Sequence, residues 1–206
     1  MMPSPQKKRA KSKNDPARKR QTGNAFRRII DVLCRRRVRH VVIGAQAVRA
    51  YVRSRATDDL DLLVAERDLD RAVAAADDQF EHCSTRTGGV SVLRDLQSGA
   101  EIHIRAALER SDQDVLESTI GVRLFARSVR VPAPEYLVVM KLASMRGRRK
   151  HWQDIISLIQ ADCIDVRFVI AHLVREHPGL IELFLELVEH ATPAPRRRAS
   201  MQRAQA

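Results

Sequence analysis

Two short segments in the first third of the chain constrain its fold more than any other part of the sequence. Residues 41–47 read Val-Val-Ile-Gly-Ala-Gln-Ala, and residues 55–64 read Arg-Ala-Thr-Asp-Asp-Leu-Asp-Leu-Leu-Val. The first segment predicts a buried strand, a turn of small residues and a short helix, and the second predicts a strand that opens with acids. Because side chains alternate along a strand, Asp59 and Asp61 should project from the same face.

This pair of carboxylates predicts a bound cation. Two carboxylates side by side repel each other, and burying them costs free energy unless a cation lies between them. A divalent metal ion is the usual reason for a protein to keep such a pair. In the preceding turn, Gly44 and Ala45 are small enough to let a phosphate group approach backbone N–H groups. The two segments together therefore predict a phosphate-binding turn beside a metal-binding pair of acids.

Arg55 and Thr57 lie just before the two acids. The arginine could contact a phosphate with two hydrogen bonds, and the threonine hydroxyl could orient a ligand or an aspartate. By themselves, however, these two residues fit a solvated loop better.

The basic charge of the chain lies mostly at its two ends. The net charge of the 206 residues is +12; residues 1–24 hold eight Lys or Arg and one acid, and residues 191–206 hold four Arg and no acid. Both ends are rich in Pro, Ser, Gln and charge, so we expect them to be disordered tails. Such tails could bind RNA or DNA electrostatically, or they could serve only to keep the protein soluble.

The sequence also indicates a protein that works in the cytoplasm. No apolar run approaches the roughly 20 residues needed to cross a bilayer, and the N-terminus does not read as a secretory signal. The three cysteines, Cys34, Cys83 and Cys163, are far apart and lack metal-ligand spacing. We expect them to be reduced, buried thiols.

The apolar periodicity predicts the order α-β-α-β-α-β-β-β followed by helices. Asn24 is expected to cap the first helix, and Pro134 is expected in the first turn of a later one. Strands are predicted at 38–43, 60–64, 81–87, 90–96 and 100–104, with one strand or a pair of strands over 122–131, and further helices at 45–52, 66–80, 111–119, 151–160, 166–176 and 179–190. Gly121 is expected to break the helix at 111–119. This order indicates an α+β (α/β-like) fold in which helices flank a small mixed sheet. The expected organisation is a basic tail (1–24), a core (25–131), C-terminal helices packed on that core (132–190) and a second basic tail (191–206).

Two blocks of the sequence together resemble a known family. The first joins Gly44-Ala45 to Arg55-Ala56-Thr57-Asp58-Asp59-Leu60-Asp61. The second runs from Pro134-Glu135-Tyr136-Leu137 through Lys141-Leu142-Ala143-Ser144-Met145-Arg146 and Lys150-His151 to Asp154-Ile155. In this order the blocks resemble the minimal nucleotidyltransferases of the polymerase-beta superfamily, and are similar to AbiEii-type and related uncharacterised bacterial nucleotidyltransferases. The resemblance covers roughly residues 38–160.

The resemblance implies an enzyme that uses Mg²⁺ to transfer a nucleoside monophosphate from an NTP to a hydroxyl of RNA, protein or a small molecule. It implies that Asp59 and Asp61 are metal ligands and that Lys141 contacts the phosphates. Arg146 and Lys150 are further candidates for nucleotide binding, and Asp154 could pair with one of these cations or complete the site. A role in a toxin–antitoxin or phage-defence pair, with a cognate antitoxin as partner, is also compatible with the resemblance.

The third acid of the family pattern is missing from its expected place. That position falls on His103, and Glu101 lies two residues earlier on the same face of the strand. A histidine can bind a metal or act as a base, but it brings no negative charge to Mg²⁺. Either Glu101 completes a metal site with Asp59 and Asp61, with His103 beside it in the catalytic centre, or catalysis is weakened or lost. In the second case the chain would be a degenerate module that binds nucleotide or nucleic acid.

Overall fold

The computed structural model describes residues 16–53, 57–76, 79–86, 88–144 and 149–192. These residues form two compact units, which divide between Ala133 and Pro134. None of the helices in the described ranges is both long enough and apolar enough to span a membrane.

The first unit contains a five-stranded mixed sheet. Its elements are α1 (Pro16–Arg35), β1 (His40–Ile43), α2 (Gly44–Val48), β2 (Asp59–Ala65), a 3₁₀ turn (Glu66–Asp68), α3 (Leu69–Ala74), β3 (Phe80–Arg86), β4 (Val90–Asp95), β5 (Glu101–Ala107), α4 (Arg110–Glu117), β6 (Thr119–Leu124) and β7 (Arg127–Pro132). The strand order is β1-β2-β5-β4-β3, and β6 pairs with β7 in a separate hairpin. Strands β2 and β5 are parallel, and the other neighbours are antiparallel. The predicted α+β fold, a small mixed sheet flanked by helices, is confirmed.

The two central strands carry the apolar core of this unit. Leu60 and Leu62 on β2 and Ile102 and Ile104 on β5 are fully buried. Each such side chain contributes about 1.5–3 kcal/mol when it leaves water. Because β2 and β5 are fixed by this burial, the polar residues that alternate with the buried ones hold fixed positions on the opposite face.

The first helix begins earlier than the sequence predicts. It starts at Pro16, a residue suited to a first turn, so the expectation that Asn24 caps it is wrong. Thr22 and Ala25 are buried. The buried side of the helix, which the sequence predicts from Phe26 onward, therefore begins one turn earlier. Residues 16–24, assigned to the basic tail, are therefore helical, whereas residues 1–15 and 193–206 of the two predicted tails lie outside the described residues.

Three other expectations need correction. The helix predicted over 66–80 ends at Ala74, because Phe80 is instead buried at the start of β3, opposite Asp95. Gly121, expected to break the preceding helix, lies inside β6 instead, whereas the pair of strands offered for 122–131 is present as β6 and β7, joined by a turn at Phe125 and Ala126, both with positive φ. All three cysteines are free, but Cys34 and Cys83 are exposed rather than buried.

The second unit is entirely helical in its described part. It comprises α5 (Pro134–Ala143), α6 (Arg149–Gln160), α7 (Val166–Glu176), a 3₁₀ turn (Pro178–Leu180) and α8 (Ile181–Ala191). Pro134 occupies the first turn of α5, as predicted. Asp165 caps α7 by accepting hydrogen bonds from the backbone N–H groups of Arg167 and Phe168, at 2.8 and 3.2 Å.

Candidate functional site

The parallel pairing of β2 with β5 brings the four predicted catalytic side chains together. In the register of the two strands, Asp59 lies beside Glu101 and Asp61 lies beside His103. All four residues alternate with the buried leucines and isoleucines, so they share the face of the sheet opposite the apolar core. The site is therefore a row of three carboxylates and one imidazole at the start of two neighbouring parallel strands.

His103 lies between two of the carboxylates. Its Nδ1 is 2.9 Å from Asp61 Oδ1, and its Nε2 is 3.5 Å from Glu101 Oε2. The hydrogen bond to Asp61 raises the pKa of His103, and the negative charges of Asp61 and Asp59 act in the same direction against partial burial of the ring. The imidazole consequently keeps its proton to higher pH than an ordinary histidine, and it lies between two carboxylates of the row.

The carboxyl group of Asp59 has a raised pKa. Burial contributes most to this rise, and the charges of Asp61, Glu101 and Asp58 add to it, whereas the charge of His103 opposes it. A raised pKa in a crowded acidic cluster means that ionisation of the cluster is costly. A bound cation would offset that cost.

Gly44 packs directly against Asp61. It begins α2 with φ +68°, and a Cβ added there would lie 2.1 Å from Asp61 Oδ2 and 2.9 Å from Asp61 Cγ. Only glycine adopts this backbone conformation at low cost and leaves room for the carboxylate. Ala45, which follows, is buried. Besides forming the predicted small-residue turn, Gly44 thus fixes the space that the Asp61 side chain occupies.

Gln46 connects α2 to the residues before β2. This nearly fully buried side chain donates from Nε2 to the backbone oxygen of Thr57 at 3.3 Å and approaches that of Asp59 at 3.5 Å. Its Oε1 accepts a hydrogen bond from Arg49 at 3.3 Å, and the Thr57 hydroxyl accepts one from the Asp59 N–H at 3.4 Å. Sequence analysis overlooked Gln46. The available signal was a long polar side chain between two alanines in an otherwise apolar turn.

Arg94 is a second residue that sequence analysis overlooked. It lies on β4 directly beside Glu101, and its Nη2 is 3.4 Å from Glu101 Oε1. The alternation of β4, in which Leu93 is buried and Arg94 is exposed, could have placed this cation on the same face as the acids.

The predicted nucleotide-binding residues of the second block are only partly described. Lys141 and Asp154 belong to the second unit, where both are buried and the Lys141 ammonium lies 2.7 Å from Asp154 Oδ2. The sequence predicted that Asp154 could pair with Arg146 or Lys150, whereas the observed partner is Lys141. Arg55 and Arg146 lie outside the described residues, as does the side chain of Lys150. Their roles, and that of Lys141 toward phosphate, stay predictions.

The donor set on β2 suits a hard divalent cation, because Mg²⁺ prefers carboxylate oxygens. Asp59 and Asp61 fit this requirement. Glu101 faces Arg94 and His103 instead, and no group of three or more His, Cys, Asp or Glu side chains within the described ranges is arranged to hold a metal ion. The structure therefore brings together two predicted ligands, with the third lying beside Arg94 and His103.

Several solved structures share this fold at low sequence identity. An antigenic nucleotidyltransferase-like protein from Paracoccidioides brasiliensis matches with a TM-score of 0.53 and 17% identity, over 80% of this chain and 92% of its own. The antibiotic-resistance factor ANT(2'')-Ia matches with a TM-score of 0.53 and 13% identity, over 82% and 96% of the two chains. The lincosamide antibiotic adenylyltransferase LnuA matches with a TM-score of 0.51 and 13% identity, over 66% and 94%.

None of the curated proteins matches the sequence significantly. A family model does match, over residues 22–192, and these include every residue of the β2–β5 site. The chain belongs to the family described as nucleotidyl transferase of unknown function (DUF2204).

Proposed function

We propose that this protein is a Mg²⁺-dependent nucleotidyltransferase that moves a nucleoside monophosphate from an NTP to a hydroxyl acceptor. The observation that supports this most is the pairing of Asp59 with Glu101 and of Asp61 with His103 on parallel strands, with Gly44 against the Asp61 carboxylate. Membership of a nucleotidyltransferase family agrees with the proposal.

Asp59 and Asp61 are the residues that would hold the metal, with Glu101 as the third candidate ligand. Bound there, Mg²⁺ would neutralise charge on the triphosphate and activate the acceptor hydroxyl. His103 donates from Nδ1 to Asp61, and Gly44 leaves only one space for that carboxylate, so the Asp61 oxygens are oriented before any ligand arrives. Gln46 limits movement of the backbone that carries Asp59. Orientation in advance of binding lowers the cost of forming the reactive complex.

The proposed acceptor is a hydroxyl group of RNA, protein or a small molecule. Two proteins of similar fold are informative about small-molecule acceptors. LnuA is described as a lincosamide antibiotic adenylyltransferase bound to lincomycin, and ANT(2'')-Ia is described in complex with adenylyl-2''-tobramycin. We include the AbiEii-like role in the proposal: a cytoplasmic component of a toxin–antitoxin or phage-defence pair with a cognate antitoxin. We also propose that Lys141, Arg146, Lys150 and Arg55 contact the nucleotide, as the resemblance implies.

The test is transfer of label from radiolabelled NTPs in Mg²⁺ to pools of RNA, protein and hydroxyl-bearing small molecules. Wild type should label at least one pool, and chelation of the metal should abolish the label. Asp59→Asn and Asp61→Asn should lower transfer by about 10²-fold or more. Asp70→Asn, a change of the same kind at an exposed site on α3, should leave it unchanged. A folded wild type that labels none of the pools, or equal transfer by Asp59→Asn, would contradict the proposal.

A second candidate function is a degenerate module that binds nucleotide or nucleic acid without turnover. His103 in the expected place of an acid, paired with Asp61, favours it. This candidate predicts salt-dependent binding of RNA or DNA that persists in Asp59→Asn and weakens when the basic residues 1–15 are removed. Unchanged affinity after that deletion would exclude a role for the N-terminal tail.

A further inference from the structure

Four polar side chains, in which acids alternate with nitrogen-bearing residues, form a row across three neighbouring strands of the sheet. In order, they are Arg94 on β4, Glu101 and His103 on β5, and Asp61 on β2. The charged atoms of successive members lie 3.4, 3.5 and 2.9 Å apart. The proposed metal ligands at one end of this row are therefore connected to an exposed arginine at the other end.

Both oxygens of Glu101 have nitrogen neighbours within the protein. Oε1 lies 3.4 Å from Arg94 Nη2, and Oε2 lies 3.5 Å from His103 Nε2. For Glu101 to act as a third metal ligand, we expect its side chain to rotate and exchange at least one of these contacts. Its side chain is 35% exposed, so solvent and space for such a rotation are present.

The contact between Arg94 and Glu101 is weak, so Glu101 can leave Arg94 at a small cost in free energy. The guanidinium is 47% exposed, and ion pairs of this kind contribute about 0–1 kcal/mol because water screens them. A free-energy difference of this size corresponds to at most about a fivefold change in an equilibrium constant. One substitution at Arg94 can consequently shift the balance between the two positions of Glu101 by a measurable factor.

We propose that Arg94 is a positioning residue that holds Glu101 away from Asp59 and Asp61 and thereby sets how tightly the site binds a divalent cation. The inference rests on the proposed function, since it assumes that Asp59 and Asp61 hold the metal. Arg94 acts through Glu101 and makes no contact with the metal itself. Its removal should therefore strengthen metal binding only when residue 101 is a carboxylate.

The experiment measures Mn²⁺ binding by electron paramagnetic resonance with the full chain, in the absence of substrate. Arg94→Ala should bind Mn²⁺ up to about fivefold more tightly than wild type, and Glu101→Gln alone is measured as the reference for the double variant. In the double variant Arg94→Ala/Glu101→Gln, the gain should disappear. Arg71→Ala removes an exposed arginine from α3, beyond the far end of β2, and should leave the affinity unchanged.

The outcomes separate this inference from the proposed function. If wild type binds Mn²⁺ and Arg94→Ala binds no more tightly, the positioning role of Arg94 is refuted while the metal site stands. If the gain persists in the Glu101→Gln background, loss of positive charge alone explains it, and the role of Glu101 is refuted. If wild type does not bind Mn²⁺, or Asp59→Asn binds it as well as wild type, both the proposed metal site and the inference are overturned.

Discussion

Replacing Gly44 by alanine tests whether the Asp61 carboxylate is held where the structure places it. The new Cβ would lie 2.1 Å from Asp61 Oδ2, so the carboxylate has to move by about 1 Å or more to reach ordinary contact. Such a movement breaks the 2.9 Å hydrogen bond between Asp61 and His103. We therefore expect Gly44→Ala to destabilise the first unit in two ways, through backbone strain and through loss of this bond.

The two contributions can be sized separately. An alanine at φ +68° costs about 1–2 kcal/mol of left-handed strain. Hydrogen bonds to charged groups contribute about 1.5–3 kcal/mol, and the lower end applies here because the Asp61 side chain is 36% exposed. The expected loss in the free energy of unfolding is therefore about 3 kcal/mol.

Gly99 offers a matched control for the strain. It has φ +69°, and a Cβ there would meet nothing within 4 Å, so Gly99→Ala should cost only the strain of about 1–2 kcal/mol. Urea denaturation of both variants, in the wild-type and Asp61→Ala backgrounds, completes the measurement. With Asp61 truncated, the penalty at Gly44 should fall towards that at Gly99, with a small remainder from the 3.1 Å approach to the Cβ of residue 61. Equal penalties at the two glycines in the wild-type background would refute the close contact between Gly44 and Asp61.

Three further substitutions test the surrounding structure. Asp95→Asn should cost about 2 kcal/mol at pH 7, because it weakens the ion pair with Arg28. Burial raises the pKa of Asp95, but hydrogen bonds from Ser98 and Arg28 outweigh burial, so the pKa is lowered in the folded protein. The wild type should therefore exceed Asp95→Asn in free energy of unfolding by the full amount above the pKa that Asp95 has in the unfolded chain. In urea denaturation this difference should shrink below about pH 4. Lys141→Met should cost about 3–5 kcal/mol by leaving the charge of Asp154 buried, and adding Asp154→Leu should recover most of it in a thermal-denaturation cycle. Gln46→Leu should lower the free energy of unfolding by about 1–2 kcal/mol, measured in urea; no loss would contradict the hydrogen bonds of its amide.

The elements that the sequence predicts best are those whose pattern depends on local burial. The alternation around Leu60 and Leu62 placed β2 correctly, and the residues that share its polar face followed from geometry alone. The helix predicted to reach Phe80 failed because the same apolar spacing fits a short helix followed by a strand, and only pairing with β4 decides between them. The early start of α1 at Pro16 depends on burial of Thr22 by tertiary contacts, which periodicity in one segment does not reveal.

The partners of the acids could not be predicted for a similar reason. Whether Glu101 lies beside Asp59 depends on β2 and β5 being parallel neighbours in one register, although about 40 residues separate them in sequence. The position of Arg94 depends in turn on β4 pairing with β5. A sequence motif names the residues of one strand, whereas the electrostatics of this site arise from three strands together.

The imidazole of His103 changes what the pair of acids implies. From sequence, Asp59 and Asp61 predict a metal because neighbouring carboxylates need a cation. In the fold, His103 lies within hydrogen-bonding distance of Asp61, and the guanidinium of Arg94 supplies a positive charge beside Glu101. The acids thus already have partners within the protein before any metal binds, so a divalent ion has to compete with Arg94 and His103 rather than fill an uncompensated cluster. Metal affinity at this site should accordingly depend on residues 94 and 103 as well as on the acids, with a change at Arg94 altering it by up to about fivefold.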